Sequence, residues 1–429
     1  MLSLFTRAFR VPDLRKKMLF TLGIIVLFRI GQIMPAPGVD VVSVRECLGG
    51  ARGGVMDMLQ LFSGGAMLKL SVFALGIMPY ITASILVQLL TTLIPRLEAL
   101  RKQGQSGQAR ITQYTRYLTV GLATLNATVI VALARNGTLM SGCAKPLLHS
   151  TSLLAVVVVV VTMVAGTCVV MWFGELITDR GIGNGMSILI FTQVVAVFPS
   201  YLSTIYLRSP VALVVMLVAG VVLVATVVFV EQAQRRIPVT YARRLVGRRM
   251  YGGTSTYIPL KVNQAGIVPV IFASSLLALP SMAAPMLGDS FGGWIQRYLV
   301  AGDHPLYMTV YTLLIVGFTY FYVSITFNPV EVADNMRKYG GFVPGIRPGR
   351  PTAQYLAYVL SRLTAPGAAY LGALSLIPLL AFAVLKDPST QANFPFGGST
   401  VLIMVSVGLD TVKQIEAQLQ QRNYEALLR

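Results

Sequence analysis

The side chains that could carry out catalysis or bind a metal are few and lie far apart. Asp410 lies within an apolar run, Glu175 lies near the end of another, and His149 and His304 fall in separate predicted loops. Hydrolytic and metal sites need such groups to cluster, and the sequence has neither a His-Glu-x-x-His motif nor a Ser–His pair within one apolar run. The three cysteines are too scattered for a metal site. We therefore expect no catalytic residues, no metal and no cofactor.

A glycine-rich stretch, DRGIGNGMS at residues 179–187, superficially resembles a phosphate-binding loop. Such loops follow a β-strand and open a helix, whereas this stretch links two long apolar runs. We interpret it as a tight turn between two membrane helices.

The composition indicates a polytopic membrane protein. The 429 residues are 55% hydrophobic and only 12% charged, with a mean hydropathy of +0.70. Soluble domains carry about 25% charged residues. Apolar runs of spanning length predict ten transmembrane helices. These predicted spans 1 to 10 cover residues 18–34, 72–94, 117–134, 153–175, 186–207, 211–232, 264–286, 307–327, 366–385 and 399–418.

The basic residues predict the orientation of these spans. The net charge is +19, and 26 of the 35 Lys and Arg residues lie on one side of the predicted membrane. Because Lys and Arg accumulate on the cytoplasmic side, both termini are predicted to be cytoplasmic.

Two cytoplasmic loops, residues 232–263 and 328–355, are longer than a connection between neighbouring helices needs. Both mix Arg with Tyr, Gly and Pro. They could be plain topology signals, or they could form a docking surface for a large acidic or polyanionic partner.

The ten spans divide five and five around a short turn at residues 208–210. A five-span half that occurs twice places the second copy upside down, and such inverted repeats build many transporters and channels. A secondary transporter of a small solute is the alternative function. It is disfavoured because coupled carriers need charged groups near the membrane midplane, and no convincing pair is present.

Spans 2 and 7 are more polar than the others. Span 2 contains Thr82 and Gln88, and Asn263 lies at the start of span 7. Uncharged polar groups in a bilayer face other helices or water, so these two spans could pack inside the bundle or line a path that is sometimes wet.

A short apolar stretch at residues 56–68 is too short to cross a bilayer. Glycine pairs flank it, and Asp57, Gln60 and Ser63 recur every three residues as one polar stripe. Taken alone, it could be an interfacial helix, a re-entrant segment or a loop.

Several long motifs resemble the SecY/Sec61-alpha family of protein-conducting channels, in its bacterial branch, over residues 11–427. The most specific are RKKMLFTLGIIVLFRIGQIMPAPGVD, FSGGAMLKLSVFALGIMPYITASI, GQARITQYTRYLTV, ITDRGIGNGMSILIF, GRRMYGGTSTYIPLKVNQAGIVPVIFASS and ITFNPVEVADNMRKYGGFVPGIRPGRPT.

The resemblance implies an all-α membrane protein with two inverted five-helix halves, residues 1–207 and 208–429, around an hourglass pore. It implies an apolar ring at the pore constriction. The ring positions are Ile77, Ile81, Met186, Ile190, Ile271 and Ile403.

The resemblance also implies a lateral gate with polar contacts at Thr82, Gln88 and Asn263. It implies a plug at about residues 54–66. It also implies that Arg248, Arg249 and Arg347 dock the motor ATPase SecA or the ribosome on the cytoplasmic side. The plug residues are Val55, Met56, Asp57, Met58, Leu59, Gln60, Leu61, Phe62 and Ser63.

By the same resemblance, the expected function is a passive, gated pore in the bacterial cytoplasmic membrane. It would translocate unfolded secretory proteins and release membrane proteins into the lipid. The expected partners are the small subunits SecE and SecG, the SecA ATPase, the ribosome, signal sequences and unfolded preproteins.

Overall fold

The structure is a computed structural model of the chain, and it describes most of the sequence. The described residues are 9–48, 64–67, 69–135, 147–149, 152–208, 210–241, 244–246, 249–251, 255–283, 289–295, 298–299, 304–385 and 398–427.

Each of the ten predicted spans corresponds to a helix. These helices are α1 (Pro12–Ile33), α3 (Met78–Leu93), α5 (Gln105–Arg135), α6 (Leu153–Arg180), α7 (Gly185–Arg208), α8 (Pro210–Gln232), α9 (Val268–Ala283), α11 (Pro305–Thr326), α13 (Arg350–Leu385) and α14 (Gly398–Leu427). Shorter helices lie between them: α2 (Val41–Leu48), α4 (Pro95–Lys102), α10 (Asp289–Ile295) and α12 (Pro329–Lys338).

Local sequence sets several helix ends. The Ser152 hydroxyl accepts a hydrogen bond from the Ala155 amide at the start of α6, and the His304 imidazole accepts one from the Leu306 amide at the start of α11. These side chains satisfy amides that have no partner within the helix. Between α3 and α4, Ile94 is extended ahead of Pro95, and the two helices meet at 100°.

By length and hydropathy alone, four helices of the described residues can each cross a bilayer. They are Gln105–Arg135, Leu153–Arg180, Leu213–Gln232 and Pro305–Lys338. The bent pair Met78–Leu93 and Pro95–Lys102 would add a fifth. Ten membrane crossings therefore remain a prediction.

Helix α3 begins six residues later than span 2, because residues 71–77 form buried turns. The Val72 amide donates to the Met34 carbonyl and the Phe73 amide to the Gly31 carbonyl. A left-handed Gly76, with φ of 57°, helps the chain turn before the helix starts. This segment therefore packs along α1 as a non-helical element.

The described residues of the two long loops form β-strands, which the all-helical prediction did not anticipate. Strands β1 (Gln234–Tyr241) and β4 (Ser255–Lys261) form an antiparallel hairpin, with β2 (Arg244–Val246) paired to β3 (Arg249–Tyr251) in its outer part. Strand β5 (Gly341–Phe342), from the second loop, pairs with β1. The two loops therefore share one three-stranded sheet.

The buried side chains form several clusters. One cluster lies within the first half of the chain, from Ala36 to Met163, and another lies mainly in the second half, from Val227 to Val405. A third, here called the central cluster, takes residues from both halves, from Ile24 to Val407. A fourth, built on Ile237, Leu260 and Leu356, packs the hairpin against α13.

We expect Gly166→Ala to destabilise the protein. Gly166 of α6 lies so close to the Val72 carbonyl that a Cβ atom would overlap it, so residues 71–77 would have to shift. Gly121 of α5 has open space around it and is the matched control. An alanine in a helix is favoured over glycine by about 0.5–1 kcal/mol, so Gly121→Ala should be neutral or stabilising. Thermal unfolding in detergent measures both, and equal melting temperatures for the two variants would contradict this packing.

Candidate functional site

The six predicted ring residues come together in the structure. Ile77, Ile81, Ile190, Ile271 and Ile403 are each at most 7% exposed and belong to the central cluster. Met186 is half-buried and packs against the same cluster. The α3 segment, α7, α9 and α14 supply these residues, so the cluster joins elements from both halves of the chain.

Helical spacing places two ring residues one turn apart at the start of α3 and two at the start of α7. Ile77 precedes α3 and Ile81 lies one turn later, and the Ile81 amide donates to the Ile77 carbonyl over 3.1 Å. Met186 and Ile190 have the same spacing in α7. All four side chains are apolar, so they can pack together without leaving a polar group unpaired.

A compact turn brings α7 close to α6 and the ring. The glycine-rich stretch forms a short connection between the two helices, in which Gly183 has φ of 86°. The Gly185 amide donates to the Thr178 hydroxyl over 3.0 Å. A Cβ on Gly174 of α6 would lie 3.6 Å from the Ile77 side chain, so α6 packs directly behind this part of the ring.

An unpaired amide lies next to the ring. Gln193, one turn beyond Leu189 on α7, is fully buried, and among the described residues neither its Nε2 nor its Oε1 has a hydrogen-bond partner. Its Nε2 is pressed against Gly76, where a side chain would collide with it. Burying an unsatisfied polar group costs about 1–3 kcal/mol.

The three predicted gate residues occupy different environments. Thr82 is half-buried and its hydroxyl donates to the Met78 carbonyl of its own helix, whereas Gln88 is exposed near the end of α3. Asn263 is 3% exposed, and its Nδ2 donates to Glu231 Oε1 over 2.6 Å and to the Gly266 carbonyl over 3.3 Å. The structure thus places two of these residues on α3 and the third just before α9.

Two of the three predicted docking residues lie in the described part of the two long loops. Arg347 is exposed in the turn before α13, and its carbonyl accepts a hydrogen bond from the Thr352 hydroxyl. Arg249 lies on β3, and Arg248 lies outside the described residues. Exposed Arg236 on β1 stacks over the Tyr257 ring at 4.9 Å. Exposed cations therefore lie on the sheet, at Arg236, and beside it, at Arg347.

The predicted plug, residues 55–63, lies outside the described residues. The residues that follow it directly, 64–67, are described. Gly64 and Gly65 have φ of 65° and 78°, and Ala66 is 1% exposed. Gly64 lies close to the Gln32 amide and the Gln193 backbone, so the chain leaves the predicted plug next to the buried amide.

Comparisons with known proteins identify the family of the chain. The model of the SecY family matches residues 71–412. The protein translocase subunit SecY of Streptomyces scabiei is 59% identical over the full length of both chains, and that of Mycobacterium tuberculosis is 55% identical, also over both full lengths. The chain belongs to the SecY family.

Solved structures share the fold of this SecY-family chain. A structure of a protein-conducting channel has a TM-score of 0.65 at 20% identity, and it covers 94% of this chain and 91% of its own. Sec61 from a canine ribosome–channel complex of the endoplasmic reticulum has a TM-score of 0.64 at 20% identity and the same coverage.

Sequence reasoning missed two residues of this SecY-family chain that contact the site. Gln193 interrupts the apolar run of span 5, and Glu231 stands near the end of span 6. An amide or carboxylate in an otherwise apolar run is the signal that could have marked them. Only the structure shows that they touch Gly76 and Asn263.

We expect Gln193→Met to raise the melting temperature of the purified protein. Methionine fills a similar volume and removes the two unpaired polar atoms. Thr192→Val is the matched control, because the Thr192 hydroxyl already donates to the Ile188 carbonyl over 2.8 Å. That variant should melt at or below the wild-type temperature. A lower melting temperature for Gln193→Met than for Thr192→Val would contradict an unpaired amide at this position.

Proposed function

We propose that this chain is the central, protein-conducting subunit of a bacterial Sec translocase. It translocates unfolded secretory proteins across the cytoplasmic membrane and releases membrane proteins sideways into the lipid. The observation that carries the proposal is the convergence of the six apolar residues from four segments on one central cluster. Membership of the SecY family disfavours the alternative of a small-solute transporter.

The chemistry of the six residues suits a pore constriction. Apolar side chains at a narrow point disfavour water and ions, and they offer no fixed hydrogen bonds that would trap a passing peptide. Met186 is flexible and apolar, so it can adapt to side chains of different size. The ring would therefore seal the empty pore, and it would surround the translocating peptide when the pore is occupied.

The two halves, residues 1–207 and 208–429, form an inverted pair around the pore, with the hinge near residues 208–210. Each half has a buried cluster of its own, and the central cluster joins them. Two bodies with separate cores can move apart by breaking only the contacts between them. This arrangement supports a clamshell opening of ten membrane-spanning helices.

The lateral gate opens between α3 and α5 on one side and α9 and α11 on the other. Polar contacts of Thr82, Gln88 and Asn263 would hold it closed until a signal sequence competes for the same space. Polar groups facing one another within a bilayer provide a modest stabilisation, about 1–2 kcal/mol per pair at most. Such a contact is weak enough for an apolar signal helix to replace.

The cytoplasmic sheet is the docking surface for SecA or the ribosome, which supply the energy for transport. Arg248, Arg249 and Arg347 are the proposed contact residues. Their support is the pairing of the two loops in one sheet, with Arg249 on the adjoining β2–β3 pair, Arg347 exposed in the turn before α13 and exposed Arg236 on β1. Contacts with ribosomal RNA would be made to its phosphate backbone. SecE and SecG complete the complex, and both termini of this chain face the cytoplasm.

We expect deletion of residues 55–63 to make the reconstituted channel conduct ions. The predicted plug would rest below the ring, so its loss leaves the six apolar side chains as the only seal. Conductance across a planar bilayer measures the effect. A variant that replaces the same nine residues with Gly and Ser keeps the length of the chain and tests whether the apolar surface is needed.

Both variants should conduct more than the intact protein. If both variants conduct no more than the intact protein, the plug is contradicted. Conductance in the deletion alone would show that the length of the segment, and not its apolar surface, makes the seal.

A further inference from the structure

A buried carboxylate holds the amide of Asn263. Glu231, near the end of α8, is 7% exposed, and its Oε1 accepts a hydrogen bond from Asn263 Nδ2 over 2.6 Å. Thirty-two residues separate the two along the chain, and the β1–β4 hairpin brings them together. At the base of the hairpin, the Val262 amide donates to the Ala233 carbonyl over 3.0 Å.

The hydrogen bond to Glu231 sets which way the Asn263 amide faces. Because Nδ2 donates to Glu231 Oε1, the Asn263 NH₂ is the group that faces this acceptor. That NH₂ also donates to the Gly266 carbonyl. Asn263 Oδ1 then faces away from the carboxylate, and among the described residues this buried oxygen has no partner.

The backbone around Asn263 is held as firmly as its side chain. Gly367 of α13 packs directly against the Val262 carbonyl, and a Cβ at Gly367 would lie 3.8 Å from the Asn263 Cα. The side chain of Gln264 accepts a hydrogen bond from the Lys261 amide over 3.3 Å. The base of the hairpin, the start of α9 and α13 therefore form one fixed unit around this amide.

We propose that Glu231 is a positioning residue for the lateral gate: it holds the Asn263 amide so that Oδ1 stays available as an acceptor for a donor on α3. Gln88 carries such a donor in its side-chain amide. A buried acceptor without a partner is costly, so a contact across the gate gains from satisfying it. This inference rests on the proposed gate role of Asn263.

The other carboxylate in this neighbourhood serves as the control. Asp410 of α14 pairs with Lys261 over 3.8 Å, and the side chains are 63% and 42% exposed. Such exposed pairs contribute little to stability. Because Asp410 does not touch Asn263 in the described structure, Asp410→Ala removes a nearby negative charge without releasing the amide.

The experiment uses a secreted reporter with a weakened signal sequence and the same reporter with an intact one. Export of both is measured with membranes that contain equal amounts of each variant. The ratio of the first export to the second is called relative export. Glu231→Met keeps the volume and removes the acceptor, and Glu231→Gln keeps both volume and acceptor. We expect Glu231→Met to raise relative export about two- to tenfold, the range for loss of one hydrogen bond. Glu231→Gln and Asp410→Ala should stay near wild type.

A double-mutant cycle separates positioning from general loosening. Asn263→Ala alone should raise relative export like Glu231→Met, and the double variant should be no more permissive than Asn263→Ala alone. If Glu231→Met accumulates poorly, Glu231→Asp provides the second test, since its carboxylate is withdrawn from the amide. Glu231→Asp should raise relative export, but by less than Glu231→Met does.

The outcomes distinguish the two proposals. Wild-type export by Glu231→Met together with permissive export by Asn263→Ala would overturn the positioning role and leave the gate intact. Fully additive effects, or a Glu231→Gln variant as permissive as Glu231→Met, would also overturn the positioning role. If relative export by Asn263→Ala equals that of the wild type, both the gate role of Asn263 and the positioning role of Glu231 are overturned.

Discussion

Apolar contact in the central cluster is the interaction on which the rest of the structure depends. Each half of the chain has its own buried cluster, and the central cluster adds side chains from both sides of the turn between α7 and α8. Contacts of this kind are non-directional and roughly proportional to buried area. They can be separated and remade without a specific partner, as a seal that opens for many different peptides requires. The helices, the turn at Gly183 and the buried segment 71–77 all serve to bring these side chains together.

Two buried side chains of the described residues that lack full hydrogen bonding lie beside the ring or belong to the predicted gate. The Gln193 amide is buried against Gly76, and Asn263 keeps one unpaired oxygen while Glu231 holds its NH₂. Each unpaired group destabilises the packed state by an amount comparable to one hydrogen bond. The same groups would be relieved wherever the packing opens to water or to a new donor.

Much of the fold could be predicted from the sequence because long apolar runs indicate membrane helices. All ten predicted spans correspond to helices, and the ring residues named by resemblance lie in one cluster. The turns at residues 71–77 were missed because the segment is as apolar as the helix that follows it. The sheet was missed because β1 and β4 are held by pairing across the hairpin and by packing on α13, which no local pattern reveals. The contact between Glu231 and Asn263 depends on that same hairpin.

The most direct test of the ring asks which residues touch a chain in transit. In a protein whose native cysteines Cys47, Cys143 and Cys168 are replaced, a single cysteine is placed at Ile81, Ile190 or Ile403. A preprotein with one cysteine at its middle is arrested during transport, and disulfide formation is measured. We expect crosslinks at all three ring positions and none at Val159, which is equally buried but lies in the cluster of the first half alone. Crosslinking at Val159 as efficient as at the ring, or its absence at all three ring positions, would contradict a pore through the central cluster.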